Sequence, residues 1–225
     1  MNASERQVVR ERFASMDTPA VSDAMDGIGL SGALRGITPR IPGKMVAGPA
    51  FTVRYGPLQR EPGEFHGAGN YIDDVEPGCV IFIDNQGRSD CTNWGGILSE
   101  VARLRGVAAT VVHGAARDLA EIRGMGYPLF SSAIHMVSGK NRVRVTGVQV
   151  DVEVDGVSVR PGDWIVADDN GALAIPQARV LEVLERAERV DRTERRIREA
   201  VLAGTPLVQA RKRFRYDQPW LDTSS

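Results

Sequence analysis

Residues 79–130, CVIFIDNQGRSDCTNWGGILSEVARLRGVAATVVHGAARDLAEIRGMGYPLF, decide the fold class of this 225-residue chain. Two apolar runs in this stretch, Cys79–Asp84 and Ala108–His113, are rich in β-branched residues as buried strands are, and Pro128–Phe130 predicts a third strand. Helices are predicted in the two intervals between these runs, at about 96–106 and 118–124. The strand–helix–strand alternation indicates βαβ units and a largely parallel sheet.

The N-terminal flank is predicted to hold two helices, a long loop and a strand. Thr18 or Ser22 is the expected cap of the second helix. The four elements are a polar helix at 4–16, a helix that starts near Val21, a loop over 27–45 and a strand at Ala47–Tyr55.

The C-terminal flank is rich in short strands separated by strong turn signals such as Asp155-Gly156. A long helix follows from about Ala178 to Ala203 and is stopped by Gly204. The predicted strands are 143–145, 148–154, 157–159, 164–166 and 172–175. The chain is therefore expected to be an α/β protein with a β-rich C-terminal layer and a long C-terminal helix. We expect residues 1–225 to form one domain, with the basic and aromatic tail, 206–225, at a subunit contact.

Composition and charge exclude several classes of function. The chain has 28 basic and 29 acidic residues and a formal net charge of −1, which predicts no nucleic-acid or membrane partner. Two cysteines do not make a disulfide framework, so a reducing compartment is expected. The sequence shows neither a signal peptide nor an apolar run long enough to span a bilayer, and we expect a cytoplasmic protein.

The first candidate for chemistry is the glycine pair in Trp94–Ser99. Gly95 and Gly96 allow close approach to the backbone at the start of a helix, where free N–H groups attract anions. A carboxylate or a phosphate fits such a site. The alternative interpretation is a glycine-rich turn that only joins two elements.

The second candidate is the pair Arg117-Asp118, just beyond a predicted parallel strand, where α/β folds place their sites. Arg117 has the planar fork that holds a carboxylate and a keto oxygen. Asp118 is a suitable ligand for Mg²⁺ or Mn²⁺. The alternative is structural, because Asp118 followed by Glu121 resembles a helix N-cap with its capping-box partner.

The third candidate is Glu194 on the long helix. Apolar residues recur at Ala187, Val190, Ile197 and Val201, and Glu194 occupies the missing position of that stripe. An acid in an apolar seam costs free energy unless it finds a partner, so Glu194 is expected to project into a neighbouring subunit's site. The alternative is a slightly rotated helix with Glu194 at the edge of its buried face.

The order and spacing of several segments resemble the RraA-like family, whose enzymes are 4-hydroxy-4-methyl-2-oxoglutarate/4-carboxy-4-hydroxy-2-oxoadipate aldolases. The segments that carry this resemblance are Val21–Asp26, Gly48–Val53, Pro77–Val80, Trp94–Gly96, Gly106–Ala108, Gly114–Asp118, Pro161–Asp163 and Asp169–Gly171. The resemblance implies an αββα sandwich that assembles into trimers or hexamers. It also implies a divalent metal, Mg²⁺ or Mn²⁺, and a small 2-oxo acid substrate that is cleaved to pyruvate. The same chemistry would permit decarboxylation of oxaloacetate.

By the same resemblance, Arg117 binds the pyruvate moiety, Asp118 ligates the metal, and the N–H groups of Ile97 and Leu98 hold the substrate carboxylate. Glu194 corresponds to a family glutamate that acts from an adjacent subunit.

Two positions depart from the family pattern. Gly96 stands where the aldolases carry an acid, and His113-Gly114 replaces Asp-Gly. The proton-transfer arrangement of the aldolases is therefore not implied for this chain. A second interpretation is a non-catalytic regulator that binds and inhibits a ribonuclease, but regulators of that kind lack the metal-binding aspartate, which this chain has as Asp118.

Overall fold

The computed structural model describes residues 1–58 and 69–221. The α-helices are α1 (Ala3–Phe13), α2 (Thr18–Asp26), α3 (Gly96–Leu104), α4 (Leu119–Met125), α5 (Val180–Leu202) and α6 (Leu207–Arg213). The strands are β1 (Ala33–Leu34), β2 (Thr38–Pro39), β3 (Val46–Pro57), β4 (Val80–Asp84), β5 (Thr92–Trp94), β6 (Ala109–Ala116), β7 (Leu129–Ile134), β8 (Val143–Val148), β9 (Val152–Val154), β10 (Val157–Val159), β11 (Trp164–Asp168) and β12 (Gly171–Ile175). Short 3₁₀ turns lie at Asn70–Asp74, Gln177–Arg179 and Pro219–Leu221.

The centre of the main sheet is parallel, as the alternation in residues 79–130 predicts. Strands run in the order β3-β4-β6-β7 with parallel pairing throughout, and β5 pairs parallel with β6. Antiparallel strands extend this centre on both sides, through β11, β12 and β1 beyond β3 and through β2 beyond β7. Because the parallel strands share one direction, their carboxyl ends meet at a single edge, which also carries the start of α3.

Strand alternation divides the interior into three apolar layers. Ile81 and Ile83 of β4 face a core shared with α3 and α4, whereas Val80 and Phe82 face a core shared with β11 and β12. Trp164 on β11 points into a third core, built with α1, α2 and α5. The layers therefore follow the sequence α, β, β, α, which confirms the αββα sandwich with a β-rich C-terminal part and a long C-terminal helix.

Several local predictions are wrong at their boundaries. The predicted loop over 27–45 contains the two short strands β1 and β2, each of which pairs at a sheet edge. Helix α2 begins at Thr18 and not near Val21, because Asp17 is its cap and accepts a hydrogen bond from Ala20 N at 3.0 Å. The Thr18 side chain instead donates to Asp168 Oδ1 at 2.6 Å and joins α2 to β11.

The strand β6 does not end at Gly114 as predicted, but continues to Ala116. Gly114 has φ of +153°, and the pairing of β6 with β7 shifts between Val112 and Ala115. The glycine therefore forms an irregularity within the strand.

The tail after Pro206 packs on its own chain. Arg189 donates to the carbonyl oxygen of Trp220 at 3.1 Å, and the guanidinium of Arg186 lies 5.7 Å from the Trp220 ring centroid. Residues 222–225 lie outside the described residues, and contact of the tail with a neighbouring subunit stays a prediction. In the described parts of the chain, no helix is both long and apolar enough to cross a membrane.

Candidate active site

The glycine pair forms the junction between β5 and α3. Gly95 caps α3 without any side-chain hydrogen bond, and Gly96 is the first helical residue. Trp94 is buried, and its Nε1 donates to Ser99 Oγ, which donates in turn to the carbonyl of Gly95 at 3.0 Å. These bonds fix the first turn of α3, whose N–H groups have no partners within the helix. The N–H groups of Ile97 and Leu98 are therefore available to an anion.

Arg117 follows the last residue of β6 at the carboxyl edge of the sheet. Its backbone N–H donates to Trp94 O at 3.1 Å, which ties the arginine to the strand that precedes the glycine pair. The Arg117 side chain is about a third exposed, and its guanidinium Nε lies 3.4 Å from Asp118 Oδ2. The sheet thus brings together two segments that are about twenty positions apart in sequence.

Asp118 occupies the N-cap position of α4, but its side chain does not cap the helix, so the capping-box alternative is wrong. Its backbone is left-handed, with φ of 59° and ψ of 35°, and its side chain makes no capping hydrogen bond to α4. Oδ2 instead accepts from the N–H of Gly96 at 3.0 Å. A left-handed non-glycine residue is a strained conformation that clusters at functional sites.

A cavity of about 210 Å³ opens at this junction. It is lined on one side by the glycine pair, Ile97, Leu98, Arg117 and Asp118, so all six predicted binding residues of this edge come together. Ser138 and Lys140, in the connection between β7 and β8, also line this cavity. An anion in the cavity would meet the Arg117 guanidinium together with two main-chain donors.

The donor set fits a hard divalent cation that keeps several positions for substrate and water. The Gly96 N–H donates to Asp118 Oδ2. The other oxygen, Oδ1, has no hydrogen-bond partner among the described residues. A Cβ on Gly95 would lie 2.5 Å from Asp118 Oδ2 and 3.3 Å from Arg117 Nε, so only glycine leaves this space open. In the described parts of the chain, no group of three or more His, Cys, Asp or Glu residues could hold a metal ion. A site with one or two carboxylates is the arrangement that Mg²⁺ prefers.

Ser138 and Lys140 are cavity residues that the sequence analysis missed. They lie in an irregular connection without periodicity or a motif. The pairing of β6 with β7 and a parallel bridge between Thr92 and Ser138 bring that connection to the edge. The departure at His113 also has a structural explanation. His113 Nδ1 lies 2.9 Å from Asp84 Oδ1, and this side-chain contact links β6 to β4. His113 is not among the residues described as lining the cavity.

Glu194 does not lie with the other predicted site residues of the same chain. The buried seam of α5 runs through Ala187, Val190, Thr193 and Ile197, whereas Val201 is 40% exposed. Thr193 therefore fills the position that was assigned to Glu194. The glutamate lies half-buried at the edge of the seam, which is the alternative considered above.

Glu194 lines a second cavity, of about 340 Å³, with Asp23, Asp26, Asp217 and Trp220. Burial and the nearby carboxylates of Asp17 and Asp23 raise the pKa of Glu194. Burial and the carboxylates of Asp26 and Asp17 raise the pKa of Asp23 as well. Like charges therefore face each other in this second cavity, whereas opposite charges meet in the first.

Comparison with known proteins identifies relatives in a single family. A family model described as RraA-like, Aldolase/RraA, matches residues 18–174. Protein DlpA of Legionella pneumophila is 43% identical over 211 residues, which cover 94% of this chain and 34% of that protein. This chain therefore spans about a third of the length of DlpA. A Halalkalibacterium halodurans protein named "Putative 4-hydroxy-4-methyl-2-oxoglutarate aldolase" is 32% identical over 78% of this chain and 80% of its own length.

Solved structures share the same fold. An uncharacterized protein from Pseudomonas syringae pv. tomato superposes with a TM-score of 0.84 at 42% identity, over 91% of this chain and 97% of that chain. Streptomyces coelicolor RraAS2, described as an unusual member of the RNase ES inhibitor RraA protein family, superposes with a TM-score of 0.74 at 26% identity. That match covers 83% of this chain and 94% of RraAS2.

Proposed function

This chain belongs to the RraA-like family, and from that premise we propose that it is a divalent-metal-dependent lyase. Its reaction is the class II cleavage of a 4-hydroxy-2-oxo acid to pyruvate and a carbonyl product. One observation carries this proposal. Arg117, Asp118 and the free N–H groups of Ile97 and Leu98 converge on a single cavity. This combination binds a 2-oxo acid through its carboxylate and its keto oxygen.

The chain's own residues bind the substrate and stabilise charge. The N–H groups of Ile97 and Leu98 hold the substrate carboxylate, and Asp118 holds the cation. A bound Mg²⁺ or Mn²⁺ supplies Lewis-acid polarisation of the keto oxygen. A base takes the proton of the C4 hydroxyl, the C3–C4 bond breaks, and its electron pair passes through C3 to the keto oxygen. Arg117 faces the negative charge that develops there, and protonation at C3 gives pyruvate. Loss of CO₂ from oxaloacetate produces the same charge and is proposed as a second activity.

A neighbouring copy of the chain completes the site in this proposal. Ile97, which lines the cavity, is 81% exposed, and Met136, in the same β7–β8 connection as Ser138 and Lys140, is 79% exposed. Exposed large apolar side chains of this kind suit a subunit interface. We propose a homotrimer or homohexamer in which Glu194 of one copy reaches the cavity of the next. The buried free thiols of Cys79 and Cys91 suit a reducing cytoplasm.

The test is pyruvate release from a panel of 4-hydroxy-2-oxo acids and from oxaloacetate. We expect activity with Mg²⁺ or Mn²⁺, loss of activity in EDTA, and recovery when metal is restored. Full activity in rigorously metal-free protein would contradict the proposal.

A second candidate function is inhibition of a ribonuclease, which the likeness to RraAS2 favours. The carboxylate of Asp118 at the cavity argues for the enzyme, since a regulator has no use for a cation ligand there. Inhibition of a purified ribonuclease by the full chain, unchanged in an Asp118→Asn variant and unaccompanied by any lyase activity, would support this second candidate.

A further inference from the structure

The carboxylate of Glu121 lies directly over the backbone of Gly96. A Cβ built on Gly96 would lie 2.0 Å from Glu121 Oε2, 2.5 Å from its carboxyl carbon and 2.9 Å from Oε1. No side chain fits at position 96 unless this carboxylate moves. Its backbone conformation does not require glycine, because Gly96 is an ordinary first residue of α3 and lies outside the positive-φ glycines. Glycine at this position therefore leaves room for the carboxylate of Glu121.

Asp118 and Glu121 occupy equivalent places over the two glycines. Asp118 Oδ2 lies 2.5 Å from a Cβ built on Gly95, just as Glu121 Oε2 lies close to one built on Gly96. Both carboxylates thus reach the start of α3, a nine-residue helix, where its dipole and free N–H groups favour negative charge. Glu121 is exposed, and among the described residues it makes no ion pair.

We propose that Glu121 is the second carboxylate of the cation site, and that it reaches the site from α4 across Gly96. This inference rests on the proposed function, which places a divalent cation at Asp118. A cation that is held by two carboxylates keeps its remaining coordination positions open for the substrate and for water. The aldolases carry an acid at the position of Gly96. In this chain Glu121, on α4, supplies the negative charge instead.

The first experiment measures Mn²⁺ binding to the full chain, without substrate, from the paramagnetic resonance signal of free Mn²⁺. Four proteins are compared: wild type, Asp118→Asn, Glu121→Gln and Glu153→Gln. Glu153 is an exposed glutamate on β9 and is the matched control for loss of one negative charge. We expect Glu121→Gln to raise the Kd for Mn²⁺ about 10-fold or more, and Glu153→Gln to leave it unchanged.

The outcomes separate this inference from the proposed function. Unchanged Mn²⁺ binding in Asp118→Asn would contradict a cation site at Asp118, and with it the proposed lyase activity. Loss of binding in Asp118→Asn, together with wild-type binding in Glu121→Gln, would overturn the role of Glu121 alone. A lower Tm in Glu121→Gln with unchanged Mn²⁺ binding would show that Glu121 only stabilises the first turn of α4.

A rescue variant tests the geometry. Glu121→Ala should weaken Mn²⁺ binding, and adding Gly96→Asp should restore most of it, because the space over Gly96 is then free for the new carboxylate. Failure of the double variant to bind better than Glu121→Ala, with its Tm preserved, would contradict the placement of Glu121 beside the cation.

Discussion

The cavity at the start of α3 and the cavity beside Glu194 both contain carboxylates, but they differ in the charges that surround those carboxylates. At the start of α3, Asp118 lies beside Arg117 and accepts from the N–H of Gly96. At the edge of α5, Glu194 lies near Asp17 and Asp23, and the pKa of Glu194 is raised. This difference supports our proposal that the first cavity holds a cation and an anionic substrate together. In the second cavity, Arg198 of the same chain lowers the pKa of Glu194, but burial and the neighbouring carboxylates raise it more strongly.

The largest effect is expected from Asp118→Asn. The substitution removes the charge that we assign to the cation site while keeping the side chain's size and its acceptor for the Gly96 N–H. Lyase activity should be abolished, whereas Tm should change little because the Asp118 side chain makes no capping hydrogen bond to α4. Thermal unfolding and pyruvate release measure the two effects separately. If Asp118→Asn unfolds, Asp118 has a structural role and not the proposed role at the cation site.

Substitution of Arg117 should cost nearly as much. Arg117→Ala removes a charge-assisted contact that strengthens in the transition state, worth roughly 3–5 kcal/mol, or about 10²–10⁴-fold in kcat/KM. Arg117→Lys should recover little, because a point charge does not reproduce a planar fork. Near-native turnover in the lysine variant would show that Arg117 does not bind the pyruvate moiety.

Mixing two inactive variants tests whether the acidic cavity serves a neighbouring subunit. Arg117→Ala and Glu194→Ala should be inactive alone and should regain part of the activity after subunit exchange. The reason is that some mixed sites then receive intact Arg117 from one chain and intact Glu194 from the other. A mixture of Arg117→Ala with Asp118→Asn is the control. It should stay inactive, since both changes lie on the same side of every site.

A mixture of Arg117→Ala and Glu194→Ala that exchanges subunits and stays inactive would place Glu194 outside the shared site. Full activity in Glu194→Ala alone would do the same, and would leave Glu194 as an acid at the edge of a buried helix face.

The smallest effect is a pH-dependent change in stability. The folded-state pKa of Glu194 is raised from its ordinary value of 4.5, so its ionised form destabilises the fold as pH rises above that value. Glu194→Gln should therefore raise Tm at neutral pH, by about one or two degrees for a half-buried group. The gain should vanish below the ordinary pKa, where wild type is protonated in both states. Glu199→Gln, an exposed change on the same helix, should show no such trend.

The parallel centre and the main binding edge could be predicted from sequence because they depend on local signals. β-Branched runs alternate with helical spacing in 79–130, and the end of a parallel strand is where Arg117 and Asp118 were expected. The free N–H groups after Gly95 follow from the start of a helix. These features need no knowledge of how distant segments pack.

Other features depend on packing that no local pattern encodes. Strand β5 has only three residues and forms because β6 lies beside it. The left-handed backbone of Asp118 decides that its carboxylate turns towards α3 instead of capping α4. The same is true of Glu121, whose place over Gly96 follows from the packing of α4 against α3. On α5, the period alone does not decide whether Thr193 or Glu194 faces the core.

A crystal structure of the protein with Mn²⁺ and oxalate, a dianion shaped like the charged end of a 2-oxo acid, tests the central claim most directly. We predict an anomalous Mn²⁺ peak beside Asp118, with one oxalate carboxylate hydrogen-bonded to the N–H groups of Ile97 and Leu98 and the other facing Arg117. An Mn²⁺ peak only in the acidic cavity beside Glu194, with no oxalate at the start of α3, would contradict the account.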